Sequence, residues 1–219
     1  MIQIVKNRCW ILYFCLFITL AIMSSLKYHN LNTTFFDLGL FLNNFSMIAS
    51  GQWQSLFLSH VQPFGLFWAI PFYFLSTDWA ATIILICQAA FLVLPVIGLY
   101  RHFGIIPALA FSFYFPLWYN ALFDFHIDHL AIPILFGFFF FERKGKLPHA
   151  IFLAVLLALV KEPFALQTAF CGLYLSVVRK NNLSGPLLTL FGVVYFTLAT
   201  QYIQHYFNSP FISIAGGWD

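Results

Sequence analysis

Seven Asp and Glu residues occur in 219. Four of them stand in three short patches: Phe35-Phe36-Asp37-Leu38-Gly39, Asp124-Phe125-His126-Ile127-Asp128-His129 and Lys161-Glu162-Pro163. Each patch lies beside or between long apolar runs. An ionisable group next to lipid costs about 2.5–3.5 kcal/mol on insertion, so each patch has a functional or a pairing reason. Asp37 opens a helical pattern, and two chemistries fit it. As a helix N-cap it would accept a backbone N–H, worth about 1 kcal/mol. As a general base it would take the proton of an acceptor hydroxyl. The two roles are compatible. In the second patch Asp124, His126 and Asp128 alternate, as an extended segment would place them on one side. His126 and His129 would instead share a face on a helix. These groups could hold a divalent metal, contact a polar substrate, or pair in an aqueous loop; their spacing matches no well-specified metal motif. In the third patch Lys161 and Glu162 either neutralise each other or leave Lys161 as a point charge for a phosphate. His60, followed by Pro63, is a further capping or hydrogen-bonding group.

These patches need elements to position them. At 62% hydrophobic and 8% charged residues, with mean hydropathy +0.87, the chain reads as an integral membrane protein, because a globular domain is roughly a quarter charged. A net charge of +3 gives no argument for nucleic acid. Cys9, Cys15, Cys87 and Cys171 sit in or beside apolar stretches without a Cys-x-x-Cys pair, and read as small buried residues. Residues 1–26 begin with Lys6 and Arg8, but their apolar run is too long for a signal core and reads as a retained first helix. There is no Gly-x-Gly-x-x-Gly, P-loop, Gly-x-Ser-x-Gly or His-Glu-x-x-His motif, which argues against nucleotide chemistry.

Seven candidate spans follow from apolar length: 9–26, 80–100, 104–119, 127–141, 148–160, 164–178 and 186–203. Leu38, Phe41, Phe45 and Ile48 recur at helical spacing within 27–62, predicting an amphipathic helix on the membrane surface that ends at Gly51. Residues 63–76, with Pro63 and Pro71, predict a re-entrant or tilted half-helix. Residues 147–178 are too long for one span and predict a hairpin turning at Pro163. Lys6 and Arg8, Arg101, the Arg143–Lys146 cluster and Arg179-Lys180 mark the inner face. That puts the N-terminus in the cytoplasm and all three patches outside.

In order, the motifs are Phe36-Asp37-Leu38-Gly39, His60 to Pro63, Phe123-Asp124-Phe125-His126 through His129-Leu130-Ala131 to Pro133, and Val160-Lys161-Glu162. This order resembles the DUF2079 family of predicted membrane proteins, over about residues 30 to 180. That family is similar to the GT-C membrane glycosyltransferases. The resemblance implies an all-α, polytopic transmembrane helical bundle, a single membrane domain over residues 1–219. It implies transfer of a sugar from a polyprenyl-phosphate donor on the outer face of a bacterial cytoplasmic membrane. In it Asp37 is the catalytic base, and His60, Asp124, His126, Asp128, His129, Lys161 and Glu162 bind substrate, with no cofactor required. Enzymes of that kind continue for several more spans. The chain, closing at Gly216-Gly217-Trp218-Asp219, is therefore expected to be the N-terminal part of a longer module or to work with a second polypeptide. A transporter or lipid flippase, or a non-catalytic scaffold subunit, are the rival readings.

Overall fold

The computed structural model describes residues 2–30, 36–58 and 60–208, the side chains of residues 2–8, 36 and 208 excepted. Phe35, the side chains of Lys6 and Arg8, and the closing residues 209–219 lie outside the described residues. The described chain is helical, with no strand. In chain order the helices are α1 (Ile2–His29), α2 (Phe36–Ala49), α3 (Gly65–Ala69), α4 (Thr77–Val93), α5 (Pro95–Phe103), α6 (Ile105–Ser112), α7 (Phe115–Phe123), α8 (Ala131–Arg143), α9 (Leu147–Val160), α10 (Pro163–Val177), α11 (Ser184–Leu198) and α12 (Gln204–Asn208). They divide into two compact units: Met1–Asn43 with Pro71–Phe136, and Asn44–Ile70 with Gly137–Asp219.

Among the described residues, three helical stretches are long and apolar enough to cross a membrane: Cys9–His29, Thr77–Phe103 and Ser184–Phe207. A fourth counts if α6 and α7, bent by 43°, form one broken span. The candidate at 104–119 breaks there because Pro116 lies in the first turn of α7, where it cannot continue the preceding helix. The indole N–H of Trp118 donates to the Ser112 carbonyl at 2.6 Å, satisfying a group the break releases. Two further candidates form α9 and α10, of 14 and 15 residues. At 1.5 Å per residue they reach about 21–23 Å, short of a hydrocarbon core of about 30 Å. The hairpin between them turns as expected, with Pro163 opening α10. Residues 63–76 hold only α3 and the 3₁₀ turn Ile70–Tyr73.

In the first unit α1 packs on α4, α5 and α7. Leu16 and Leu20 meet Leu92, Val93, Val96 and Leu117 in the core. The α2 helix, whose residues from Asn44 on belong to the second unit, has Leu38, Phe45 and Ile48 almost fully enclosed by protein and Phe41 partly so, where the sequence pointed to an apolar face on the membrane surface. It ends where Gly51 takes a φ of +91°, a conformation glycine adopts without steric cost. In the second unit α10 and α11 make the closest pair. A Cβ added at Gly172 or Gly192 would strike the backbone of the facing helix, so these helices meet along small residues, as membrane helices do. Two hydroxyls tie the packing: Thr168 of α10 donates to the Ala154 carbonyl of α9 at 2.6 Å, and Thr189 of α11 donates to the Ala169 carbonyl of α10 at 3.3 Å.

Candidate functional site

The site of the first unit is built on the end of α7. A helix leaves its last carbonyls without intrahelical partners, and here α1 supplies partners. Ser24 Oγ donates to the Ala121 carbonyl at 2.9 Å. Lys27 Nζ donates to Leu122 at 2.6 Å and also to Phe123, a cation at the negative end of the helix. The chain then leaves the helix extended, with Asp124 at φ −161°, ψ −178° and His126 at φ −137°, ψ 129°. Gln88 of α4, itself buried, braces this stretch. Its amide donates to the Asp124 carbonyl at 3.3 Å, and its Oε1 accepts the His126 N–H at 3.1 Å. A 3₁₀ turn, Ile127–Leu130, follows.

This path answers the two geometries left open by the second patch, since each holds over part of it. The chain is extended through His126, then turns, and the His129 N–H donates to the His126 carbonyl at 3.2 Å. The turn brings the two imidazoles to 6.0 Å between centroids. Asp124 is buried, while Asp128 is half-buried as the second residue of the turn.

Asp37 is the second residue of α2, in its first turn rather than at the cap. Its Oδ2 lies 3.5 Å from His126 Nε2. The two side chains are 32% and 29% exposed, so both can meet a ligand. The gap is longer than a strong hydrogen bond, and a hydroxyl oxygen can sit about 2.8 Å from both atoms. Phe123 stacks on the His126 ring at 6.1 Å, and Phe41 meets its edge at 5.9 Å. His129 is almost fully buried, and its Nδ1 has no hydrogen-bond partner among the described residues. Burial, with a smaller contribution from His126, pushes its pKa down to about 3, so this ring is neutral at physiological pH. An open groove of about 310 Å³ runs along α7, lined by Phe115, Trp118, Tyr119, Leu122, Phe123 and Lys27.

His60, Lys161 and Glu162 belong to the second unit. His60 Nδ1 lies 2.7 Å from Glu162 Oε1, so Glu162 has in His60 a partner that the sequence did not single out. The Val61 N–H donates to Oε2 at 3.0 Å, and Gln204 Nε2 donates to Oε1 at 3.0 Å. Burial pushes the Glu162 carboxyl up. The hydrogen bond and charge of His60, with the backbone N–H groups of Glu162 and Val61, outweigh it and leave the pKa below the usual carboxylate range. Lys161 is half-buried in extended backbone. Among the described residues, no three His, Cys, Asp or Glu side chains are grouped to hold a metal ion.

Sequence reasoning passed over Gln88, Ser24, Lys27 and Gln204. The one available signal was Gln88, an amide alone inside an apolar run. It also missed Glu142, which pairs with Arg179, a residue read only as a topology marker.

An all-helical chain with apolar spans and polar groups gathered at helix ends is a helical membrane protein. The family model for DUF2079, a predicted membrane protein, matches residues 27–215, and the chain belongs to that family. No curated protein and no solved structure matches it.

Proposed function

We propose that this protein is a membrane glycosyltransferase of the GT-C kind, with its acid–base centre at Asp37 and His126. The observation that carries the reading is the 3.5 Å approach of Asp37 Oδ2 to His126 Nε2, both partly exposed. In this reading Asp37 takes the proton of an acceptor hydroxyl as its oxygen attacks the anomeric carbon. The bond from that carbon to the phosphate oxygen breaks, and the phosphate leaves with the electron pair. A phosphate is already a good leaving group, so one positioned base with charge neutralisation suffices. His126 shares the hydroxyl with Asp37, and His129 offers a ring nitrogen to the ligand. A polyprenyl donor needs an apolar surface beside a polar centre. The aromatic groove along α7 supports this, because Phe123 both lines it and stacks on His126. Asp124 and Asp128 shape the acceptor side. The seven-span bundle and the outer-face orientation belong to the same reading.

The test uses membranes containing the full chain and a panel of isotope-labelled polyprenyl-phosphate hexoses. Asp37→Asn is expected to lower transfer by about 10²–10⁴-fold, the range of general acid–base catalysis, at unchanged protein level. Transfer by Asp37→Asn at the wild-type rate would falsify the role of Asp37. Absence of transfer by the folded wild type from every donor would count against the reaction itself.

A further inference from the structure

The second unit contains a pair whose chemistry differs from that of Asp37 and His126. His60 is 43% exposed and Glu162 only 5%. Both carboxylate oxygens of Glu162 are occupied, by His60 and Gln204 on one and by the Val61 N–H on the other. An ionised carboxylate has no proton to donate. The proton in the 2.7 Å contact therefore sits on His60 Nδ1, and whenever the ring is neutral its Nε2 is a bare acceptor. That nitrogen has no partner among the described residues, and it belongs to the exposed member of the pair. The imidazole is held by three elements. The 60–62 segment carries it, the α9–α10 turn carries the carboxylate, and Gln204 follows the π-helical turn Ala199–Ile203. A π turn inside a helix is frequent at functional sites. Two residues along, Gln62 is buried, and its Oε1 has no hydrogen-bond partner among the described residues.

We propose that His60 Nε2 is the acceptor of a hydroxyl-binding site in the second unit, fixed in its tautomer by Glu162. Two acceptors on one short segment, His60 Nε2 and Gln62 Oε1, fit a ligand bearing more than one hydroxyl. That chemistry is shared by a soluble polyol and by the glycerol headgroup of a lipid. Glu162 acts through His60 and is a positioning residue. The inference does not rest on the role of Asp37.

The experiment is nitrogen NMR on the full chain, labelled with ¹⁵N-histidine and held in phosphatidylcholine nanodiscs at pH 8. His60 is assigned by the signal lost in His60→Asn. The expected result is the tautomer protonated at Nδ1, with an unprotonated Nε2 resonance, whereas free imidazole side chains favour the Nε2–H form. Glu162→Ala should return His60 to that ordinary form. The wild-type spectrum needs no mutation and decides the tautomer even if this variant fails to fold. Sorbitol is then titrated in, or phosphatidylglycerol is placed in the bilayer, with phosphatidylserine as the control for lipid charge. A displaced Nε2 resonance with sorbitol identifies a soluble ligand, and one with phosphatidylglycerol alone identifies a headgroup. A wild-type His60 protonated at Nε2 overturns the proposal. So does an Nε2 signal that neither hydroxyl source moves, or that phosphatidylserine moves equally.

Discussion

Replacing Gln88 by Leu tests how the His126 segment is held. The substitution keeps volume and helix propensity while deleting both hydrogen bonds across the extended stretch, at 3.3 and 3.1 Å. A net hydrogen bond contributes about 0.5–1.5 kcal/mol, and a buried group left without a partner costs about 1–3 kcal/mol. The Asp124 carbonyl is fully enclosed with its residue and the His126 N–H partly so, which gives an expected loss of about 2–4 kcal/mol. Every 1.4 kcal/mol is tenfold, so the local opening equilibrium should rise by roughly 30- to 1,000-fold. Hydrogen exchange measured by mass spectrometry on nanodisc-embedded protein reads that equilibrium directly. Peptides covering 124–126 should exchange faster by that factor, while those of α10 stay at the wild-type rate. Unchanged exchange at 124–126 in a folded Gln88→Leu variant would refute the bracing role. A uniform acceleration over the whole chain would also refute it, since it would make Gln88 a general packing residue.

Two further predictions concern stability. His129 takes no proton in the folded protein until about pH 3, whereas an unfolded imidazole titrates near 6.5. As pH falls from about 6.5 towards 3, the unfolded chain gains a proton that the folded one refuses. Stability should therefore drop by up to about 1.4 kcal/mol per pH unit in that window. Detergent-induced unfolding at pH 7, 6 and 5 should show this slope in the wild type. An identical slope in His129→Phe would assign it to other groups. The second compares glycines in a thermal melt. Gly192→Ala should destabilise by about 1–3 kcal/mol, because its Cβ meets the Ala165 carbonyl and the Ala169 backbone nitrogen. Gly98→Ala, with nothing within 4 Å of the new Cβ, should instead stabilise by up to about 1 kcal/mol. Equal shifts in both variants would remove the close packing of α10 on α11.

The parts of this molecule that sequence exposes best are those set by local rules. The Leu38–Ile48 stripe predicted α2 as a helix, and Gly51 predicted its end. Pro163, between two apolar runs, predicted the α9–α10 hairpin, because proline at a first helical position is pre-organised for that place. Helix lengths were less legible. Leucine and phenylalanine runs continue across positions such as 113–114, where the chain bends, and apolar character does not distinguish a straight span from a broken one. Pairing was least legible. Lys161 and Glu162 are neighbours in sequence, yet the bond that orders the carboxylate comes from His60, 102 residues away. No composition rule reaches across that distance.

The residues that hold the site were inconspicuous for a physical reason. Hydrocarbon offers no water to an exposed carbonyl or N–H, so non-helical backbone survives near it only where side chains or protein backbone satisfy it. The segment from Asp124 to His126 leaves the helix, and so releases the carbonyls at the end of α7 and the polar groups of Asp124 and His126. Ser24, Lys27 and Gln88 answer those groups almost one for one. Gln88 is a lone amide in an apolar run, and Ser24 and Lys27 sit among other polar residues at the end of α1, patterns that in sequence look like tolerated variation. Their purpose appears only once the non-helical backbone opposite them is known. His126 can thus leave helical geometry and face Asp37 because α1 and α4 carry the polar groups that this departure requires.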